Sequence, residues 1–226
     1  MTGKRCRVCS ACGQLVPELA NQADGPNGGK RFCRNSWCAA ADRPLEAVFS
    51  VGHYDGSLRK AIVAYKYGAD LRWARPFGNL LREFLARYAT WFEEYGVICP
   101  APSFVGPGAR RSWGHVEFVC AELGRLACGE WPVEPLVVKT KETEPMSAKA
   151  HTVRRHIADY VLREALAVPD AAAVEGRRIL LVDDVCASGQ TLLALARTLR
   201  EEGAEEVAAL VLARAAWRWR CAAPRQ

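Results

Sequence analysis

Two adjacent carboxylates, Asp183 and Asp184, follow the apolar run RRILLV, and a small-residue turn, Ala187-Ser188-Gly189-Gln190-Thr191, comes just after them. If that turn opens a helix, it presents backbone N–H groups without acceptors and the positive end of the helix dipole, a suitable seat for a phosphate. Ser188 and Thr191 add hydroxyl donors, and Gly189 lets the backbone come close. Carboxylates repel a phosphate, so their natural partners are sugar hydroxyls one group further along the same ligand. A phosphate beside a vicinal diol describes a ribose 5-phosphate. An acidic pair at a strand end also serves simply to cap a helix and solvate the strand, and local physics does not separate the two roles. Cys186, inside this stretch, reads as a small filler rather than a nucleophile, because no histidine lies near it in sequence.

Sulfur supplies the second constellation. Cys9-x2-Cys12-Gly13 and Cys33-x4-Cys38 form two pairs, and four thiolates converging on one cation favour Zn²⁺. Four sulfurs leave no open coordination position, so such a zinc is structural. Cys6 offers a competing Cys6-x2-Cys9 pairing, and scattered reduced cysteines are the plain alternative, since the second pair is wider than the common x2 spacing.

The elements that must position these residues are clearest in the last third. Residues 177–182 are an apolar run of strand length, and DDVCASG reads as a polar turn. Leu192, Leu195, Ala196 and Leu199 recur at helical spacing up to Gly203, and 206–213 is a second buried strand. Strand, loop, helix and strand make a βαβ unit with a right-handed crossover, hence a parallel sheet that binds ligands at the carboxyl ends of its strands. Upstream, residues 45–56 read as extended, 57–67 and 76–92 as helices, 97–102 as a short strand, 116–127 as a helix and 135–140 as a strand. The polar stretch from Glu142 to His156 has the character of a lid. Residues 1–43 are loop-rich and too small for a core of their own, so the chain divides into a zinc-binding module over 1–43 and an α/β domain over 44–226.

The 226 residues are 50% hydrophobic, enough to bury a real core, and carry a formal charge of +6, which favours a polyanionic partner. Five of the ten cysteines fall between positions 6 and 38. The N-terminus has no apolar signal region, and no uncharged apolar run reaches membrane-spanning length. The expectation is a cytoplasmic protein without a membrane span, its cysteines reduced, metal-bound or buried.

ILLVDDVCASGQTL is similar to the signature with which type I phosphoribosyltransferases bind 5-phosphoribosyl 1-diphosphate (PRPP), except that Ala187-Ser188-Gly189 stands where Thr-Thr-Gly is usual. A cysteine module in front of such a domain resembles the ComF family, known for a role in natural competence and DNA uptake. FSVGHYDGSLRKAIVAYKYG is similar to that family's Tyr-x-Gly element and a helix ending in Lys-Tyr, and VICPAPS stands in the place of its Val-Pro-Val-Pro. RRSWGH occupies the place of its basic run and Arg-Gly-Phe-Asn, with Ser112-Trp113-Gly114 for Arg-Gly-Phe and His115 for Asn. Met146 sits in the place of a Gln.

The resemblance implies a type I phosphoribosyltransferase-like fold behind a small zinc-ribbon-like module. It implies PRPP bound with Mg²⁺, its 5-phosphate on Ala187, Ser188, Gly189, Gln190 and Thr191, its ribose on Asp183 and Asp184, and its pyrophosphate near Ser103. Cations would come from Lys66, Arg110, Arg111, Lys139, Lys141 or Arg154, each of which has a plain alternative as a surface charge. His115, His151 and His156 are by default surface or satisfied core histidines. The acceptor is not legible. Two further readings stay open: a PRPP-sensing regulator without transfer chemistry, and a single-stranded DNA-binding competence factor, working with other competence proteins. The second would use Trp217-Arg218-Trp219-Arg220 and Tyr65-Lys66-Tyr67 as stacking and phosphate contacts.

Overall fold

The computed structural model describes residues 6–9, 11–13, 15–17, 38, 42–109, 112–143 and 160–215. Cys33, Arg110, Arg111, Met146, His151, Arg154, His156 and the Trp217–Arg220 segment lie outside them, as does most of the expected lid.

A four-stranded sheet organises the chain. Its strands are β3 (Val48–His53), β4 (Val97–Pro100), β7 (Arg178–Cys186) and β8 (Glu206–Arg214), in the order β3-β8-β7-β4 and all parallel. In β8 every residue from Val207 to Arg214 is buried, as expected of a central strand covered on both faces. The helices are α1 (Gly56–Gly68), α2 (Ala74–Arg87), the one-turn α3 (Ala89–Phe92), α4 (His115–Leu126) and α5 (Gln190–Glu201). Leu192, Leu193, Leu195 and Leu199 of α5 are buried in the core shared with β7 and β8. Two small antiparallel pairs complete the fold: β1 (Cys6–Val8) with β2 (Leu15–Pro17), and β5 (Val138–Lys139) with β6 (Leu166–Ala167).

The expected βαβ unit is present, with one difference that shapes the site. The DDVC segment is not a turn; β7 runs through it to Cys186. Polar side chains do not end a strand while a neighbour still offers backbone partners, and β8 keeps pairing along this length through Asp183↔Val211, Val185↔Ala213 and Cys186↔Arg214. On the other side β4 stops at Pro100↔Val182. Residues 183–186 therefore overhang β4 and leave a crevice beside them. The helix expected over 76–92 breaks at Tyr88, and the strand expected over 135–140 shrinks to Val138–Lys139 in an antiparallel pair.

The N-terminal segment packs onto this sheet. Val48 N–H donates to Ala11 C=O at 2.9 Å, and Gly13 N–H closes a turn on Cys9 C=O at 3.0 Å. Cys9, Ala11, Cys12 and Cys38 are buried in the same core as Leu45 and Val48. Among the described residues no helix is long and apolar enough to cross a membrane.

Candidate functional site

The crevice beside the overhang is a cavity of about 490 Å³. Asp183 and Asp184 from β7, Thr191 from α5, Ser103 from the segment after β4, Lys66 from α1 and His115 from α4 all line it, with Lys139 and Glu142 on a further wall. Four residues assigned from sequence to one ligand thus meet, together with Lys66, in one place. Ala187, Ser188, Gly189 and Gln190 form the turn beyond the cavity and are not part of its lining.

Asp184 is 6% exposed and central to a network. Its Oδ2 accepts from Lys66 Nζ at 2.5 Å and from His115 Nε2 at 3.1 Å, and its Oδ1 accepts from Val185 N–H at 2.6 Å. Burial alone would raise this carboxyl, but the His115 hydrogen bond and the Lys66 ammonium outweigh it and hold Asp184 well below the usual carboxylate range. Asp183 is its opposite. Burial first, and then the negative Asp184, push it up to about 7. Of the two acids, Asp184 is taken up by protein partners, while Asp183 is the half-buried one.

Ser103 is held by α4. Its N–H donates to Glu117 Oε1 at 2.7 Å, and its Oγ lies 3.3 Å from Glu117 Oε2 and 3.2 Å from His115 Nδ1. Glu117 reaches back across Gly114, where a Cβ would sit 2.5 Å from the carboxylate, so only glycine leaves room for this clasp. At the other end of the site, Gly189 takes φ +84 to start α5, a left-handed conformation that costs other residues. The exposed Ser188 accepts from Gln190 N–H at 3.4 Å.

The domain model described as phosphoribosyl transferase domain matches residues 124–220, which span both strands and the helix of this corner. The chain is similar over 92% of its length, at 26% identity, to the DNA utilization protein YhgH of Escherichia coli O157:H7, covering 89% of that protein. The proteins of the same name from Escherichia coli K12 and Shigella flexneri align to the same extent. Among solved structures it is similar to a purine phosphoribosyltransferase from Pyrococcus horikoshii Ot3, with 15% identity, 65% of this chain and 88% of that one covered, and a TM-score of 0.37. A phosphoribosyltransferase from Corynebacterium diphtheriae matches at 21% identity, 63% and 71% coverage, and a TM-score of 0.35. The parallel α/β fold expected from the motif is present, with β7, α5 and β8 inside the residues that match this domain model.

Beside the domain, Cys9, Cys12 and Cys38 bring three sulfurs within 4.8 Å of one another, all buried. Three converging sulfurs suit a soft or borderline cation such as Zn²⁺. Cys33, expected as the fourth ligand, lies outside the described residues. Cys186 has the filler role expected of it, since it is buried and burial pushes its thiol up to about 12.

Three residues of the transferase domain's surroundings escaped sequence reasoning. His115 is a network member rather than a default histidine, and the signal that could have found it was its position in place of a family Asn. Glu117, one helical turn's reach from Ser103, carried no signal. Arg214 was visible only as the charge that ends β8, yet it is 2% exposed. Its guanidinium donates to Cys12 C=O at 2.8 Å and to Cys186 C=O and Ala187 C=O, both at 2.5 Å. It ties the cysteine module to the turn of the transferase domain.

Proposed function

We propose that this protein binds PRPP with Mg²⁺ in the cavity at the carboxyl ends of β4 and β7 and transfers its phosphoribosyl group to an acceptor. The observation that carries the reading is that Asp183, Asp184, Thr191 and Ser103, from three separate segments, line one cavity within a chain whose residues 124–220 match a phosphoribosyl transferase domain. The 5-phosphate would sit on the turn from Ala187 to Thr191, at the start of α5, where Ser188 and Thr191 present exposed hydroxyls. Asp183, the carboxyl without a lysine on it, would accept the ribose hydroxyls first, and Asp184 would do so as Lys66 turns toward the pyrophosphate. Arg110 and Arg111 remain candidates for the same anion. Mg²⁺ bound with PRPP would supply charge neutralisation for the departing diphosphate. The chain's part in that step is positioning and charge compensation.

Zinc fits the cysteine cluster by donor chemistry and burial, with Cys9, Cys12 and Cys38 as ligands and Cys33 as the fourth, in a module over 1–43 ahead of a domain over 44–226. Its contribution there is to hold a short segment that lacks a core of its own. Participation in DNA utilisation, in the cytoplasm, is supported by the relatives' name and by the +6 charge.

Calorimetry with Mg²⁺ and PRPP tests the reading. Binding is expected in the wild type, competed by ribose 5-phosphate, and at least tenfold weaker in Asp183→Asn, a loss of about 1.4 kcal/mol. Equal affinity in Asp183→Asn and Thr191→Ala would overturn it.

A further inference from the structure

A buried guanidinium sits where β8 ends. Among the described residues Arg214 is the only lysine or arginine that is fully buried, and none of the described carboxylates pairs with it. Its partners are carbonyls. Nε donates to Cys12 C=O at 2.8 Å, and one terminal nitrogen donates to Cys186 C=O and to Ala187 C=O, both at 2.5 Å. Carbonyl dipoles satisfy its hydrogen bonds but supply no counter-charge, and an uncompensated buried charge is costly. The cysteine cluster is suited to supply it. Thiolates around a divalent cation leave a centre with net negative charge, and Cys12 belongs to that cluster with Cys9 and Cys38.

The two sides of this bridge differ. On the cysteine side Gly13 N–H closes on Cys9 C=O, and Gly13 takes φ +66, where a Cβ would stand 2.8 Å from the Val48 carbonyl oxygen. The knuckle that carries Cys12 is therefore pressed between β3 and the guanidinium. On the other side the two carbonyls belong to the last residue of β7 and to the exposed residue that starts the turn. A trans peptide directs its N–H opposite to its C=O, so holding these carbonyls turns the N–H groups of Ala187 and Ser188 away from the guanidinium. Successive N–H groups facing one way form the concavity in which backbone binds anions.

We propose that Arg214 is a positioning residue for the phosphate-binding turn, and that metal in the cysteine cluster sets the affinity of that turn for a phosphate monoester. The phosphate half rests on the PRPP reading above; the coupling of cluster to turn does not. With the metal bound, Cys9, Cys12 and Cys38 hold the knuckle, Cys12 C=O holds the guanidinium, and the guanidinium holds the turn. Without it the knuckle releases Arg214, the carbonyls of Cys186 and Ala187 lose a fixed donor, and the turn samples other orientations of its N–H groups. The coupling is reciprocal, so a phosphate on the turn tightens the metal by the same factor.

The full-length protein, loaded with Zn²⁺ and then stripped with a strong chelator, supplies the test. Zinc content, hydrogen exchange and calorimetry with ribose 5-phosphate are measured on both forms. Stripping should raise exchange at residues 187–189 while Leu195 keeps its protection. It should also weaken ribose 5-phosphate binding by about tenfold, within the usual range of coupling between sites, and added Zn²⁺ should restore both. Arg214→Met should weaken binding to a similar extent in the zinc form and abolish the response to stripping, whereas a side chain that merely fills the core would leave that response intact. Arg214→Lys, which keeps the charge and lacks the planar fork, should recover part of the affinity and part of the response. No zinc uptake, unchanged exchange at 187–189 after stripping, equal loss at Leu195, or a full zinc response in Arg214→Met would each overturn the proposal. If Arg214→Met fails to fold, Arg214→Lys supplies the comparison, and a zinc response equal to the wild type overturns the role of Arg214. Exchange that responds to zinc in a protein that binds no ribose 5-phosphate upholds the coupling and overturns the phosphate half together with the PRPP reading. Ribose 5-phosphate and PRPP bound equally well with and without zinc overturn the proposal and leave the PRPP reading standing.

Discussion

The turn after β7 and the cysteine module sit on either side of Arg214 and reach order by different means. At the turn, α5 buries four leucines against a parallel sheet, each contributing about 2 kcal/mol by the area it removes from water. Long strands pair on both sides of β7 until β4 ends, and the overhang that results is what makes the cavity. In the module the strands are only three residues long, and the described buried side chains are Cys9, Ala11, Cys12 and Cys38. Among the described residues, these small side chains remove little apolar area from water and do so in the core they share with Leu45 and Val48. Beside that burial stand the convergence of three sulfurs and the backbone ties to Val48 and Arg214. The difference teaches that the β7–α5 corner is ordered by apolar burial and the cysteine cluster largely by polar and sulfur contacts, the two joined through one buried guanidinium.

Removing the metal breaks this comparison most severely. A strong chelator should release one zinc per chain, and because structural zinc contributes about 10–16 kcal/mol to small modules, hydrogen exchange in residues 6–17 should rise to the unprotected rate. Protection of β7 and β8 should persist. Equal loss in both regions would mean that they are one cooperative unit.

Leu195→Ala makes the complementary cut. It should cost about 2–5 kcal/mol, seen as a lower midpoint in denaturant, while zinc content stays at its wild-type value. A fall in zinc content at temperatures where the sheet is still folded would contradict order reached by different means.

The corner at β7 and α5 was legible because its residues repeat at strand and helix periods and because its acids and small residues have a local meaning. The limits of that legibility are physical. The end of β7 was misplaced because strand length is set by a partner, and β8 is far enough along the chain that its register with Asp183 is not written in either segment alone. Asp183, Asp184 and Thr191 are assigned to one ligand from a local motif and Ser103 and Lys66 by the family resemblance, and the fold brings all five to one cavity. His115, Glu117 and Arg214 act through contacts between distant segments, and no periodicity announces such contacts. Cys9, Cys12 and Cys38 were readable by spacing, although their place against Val48 and Arg214 was not.

Arg214→Met probes the joint itself. Three backbone carbonyls lose a charged donor in a buried place, at a cost of about 2–3 kcal/mol. The distinctive readout is simultaneous loss of amide protection at residues 11–13 and 186–189 with little change at Leu195. Loss confined to one side would place Arg214 in that region alone and remove the link between them.

Asp183→Asn gives the sharpest sign. Because Asp183 is raised to about 7 by burial and by Asp184, the folded protein holds that proton more tightly than the unfolded chain, whose aspartates titrate near pH ~3.9. The favourable contribution of the neutral carboxyl is full below the unfolded value and is lost as pH rises through the folded one. Asparagine never ionises, so the variant should melt above the wild type at about pH 8, and the gap should narrow as pH falls and close only at pH ~3.9 and below. Asp184 runs the other way: its contribution is present above ~3.9 and fades as acid protonates it, and since both proteins keep Asp184 its effect largely cancels in the comparison. The same variant should bind Mg²⁺ and PRPP more weakly, so stability gained at alkaline pH would accompany affinity lost. Such a trade is expected where a carboxyl is kept in an unfavourable place for its ligand, and a variant equally stable with the wild type at both pH values would show that Asp183 carries no such strain.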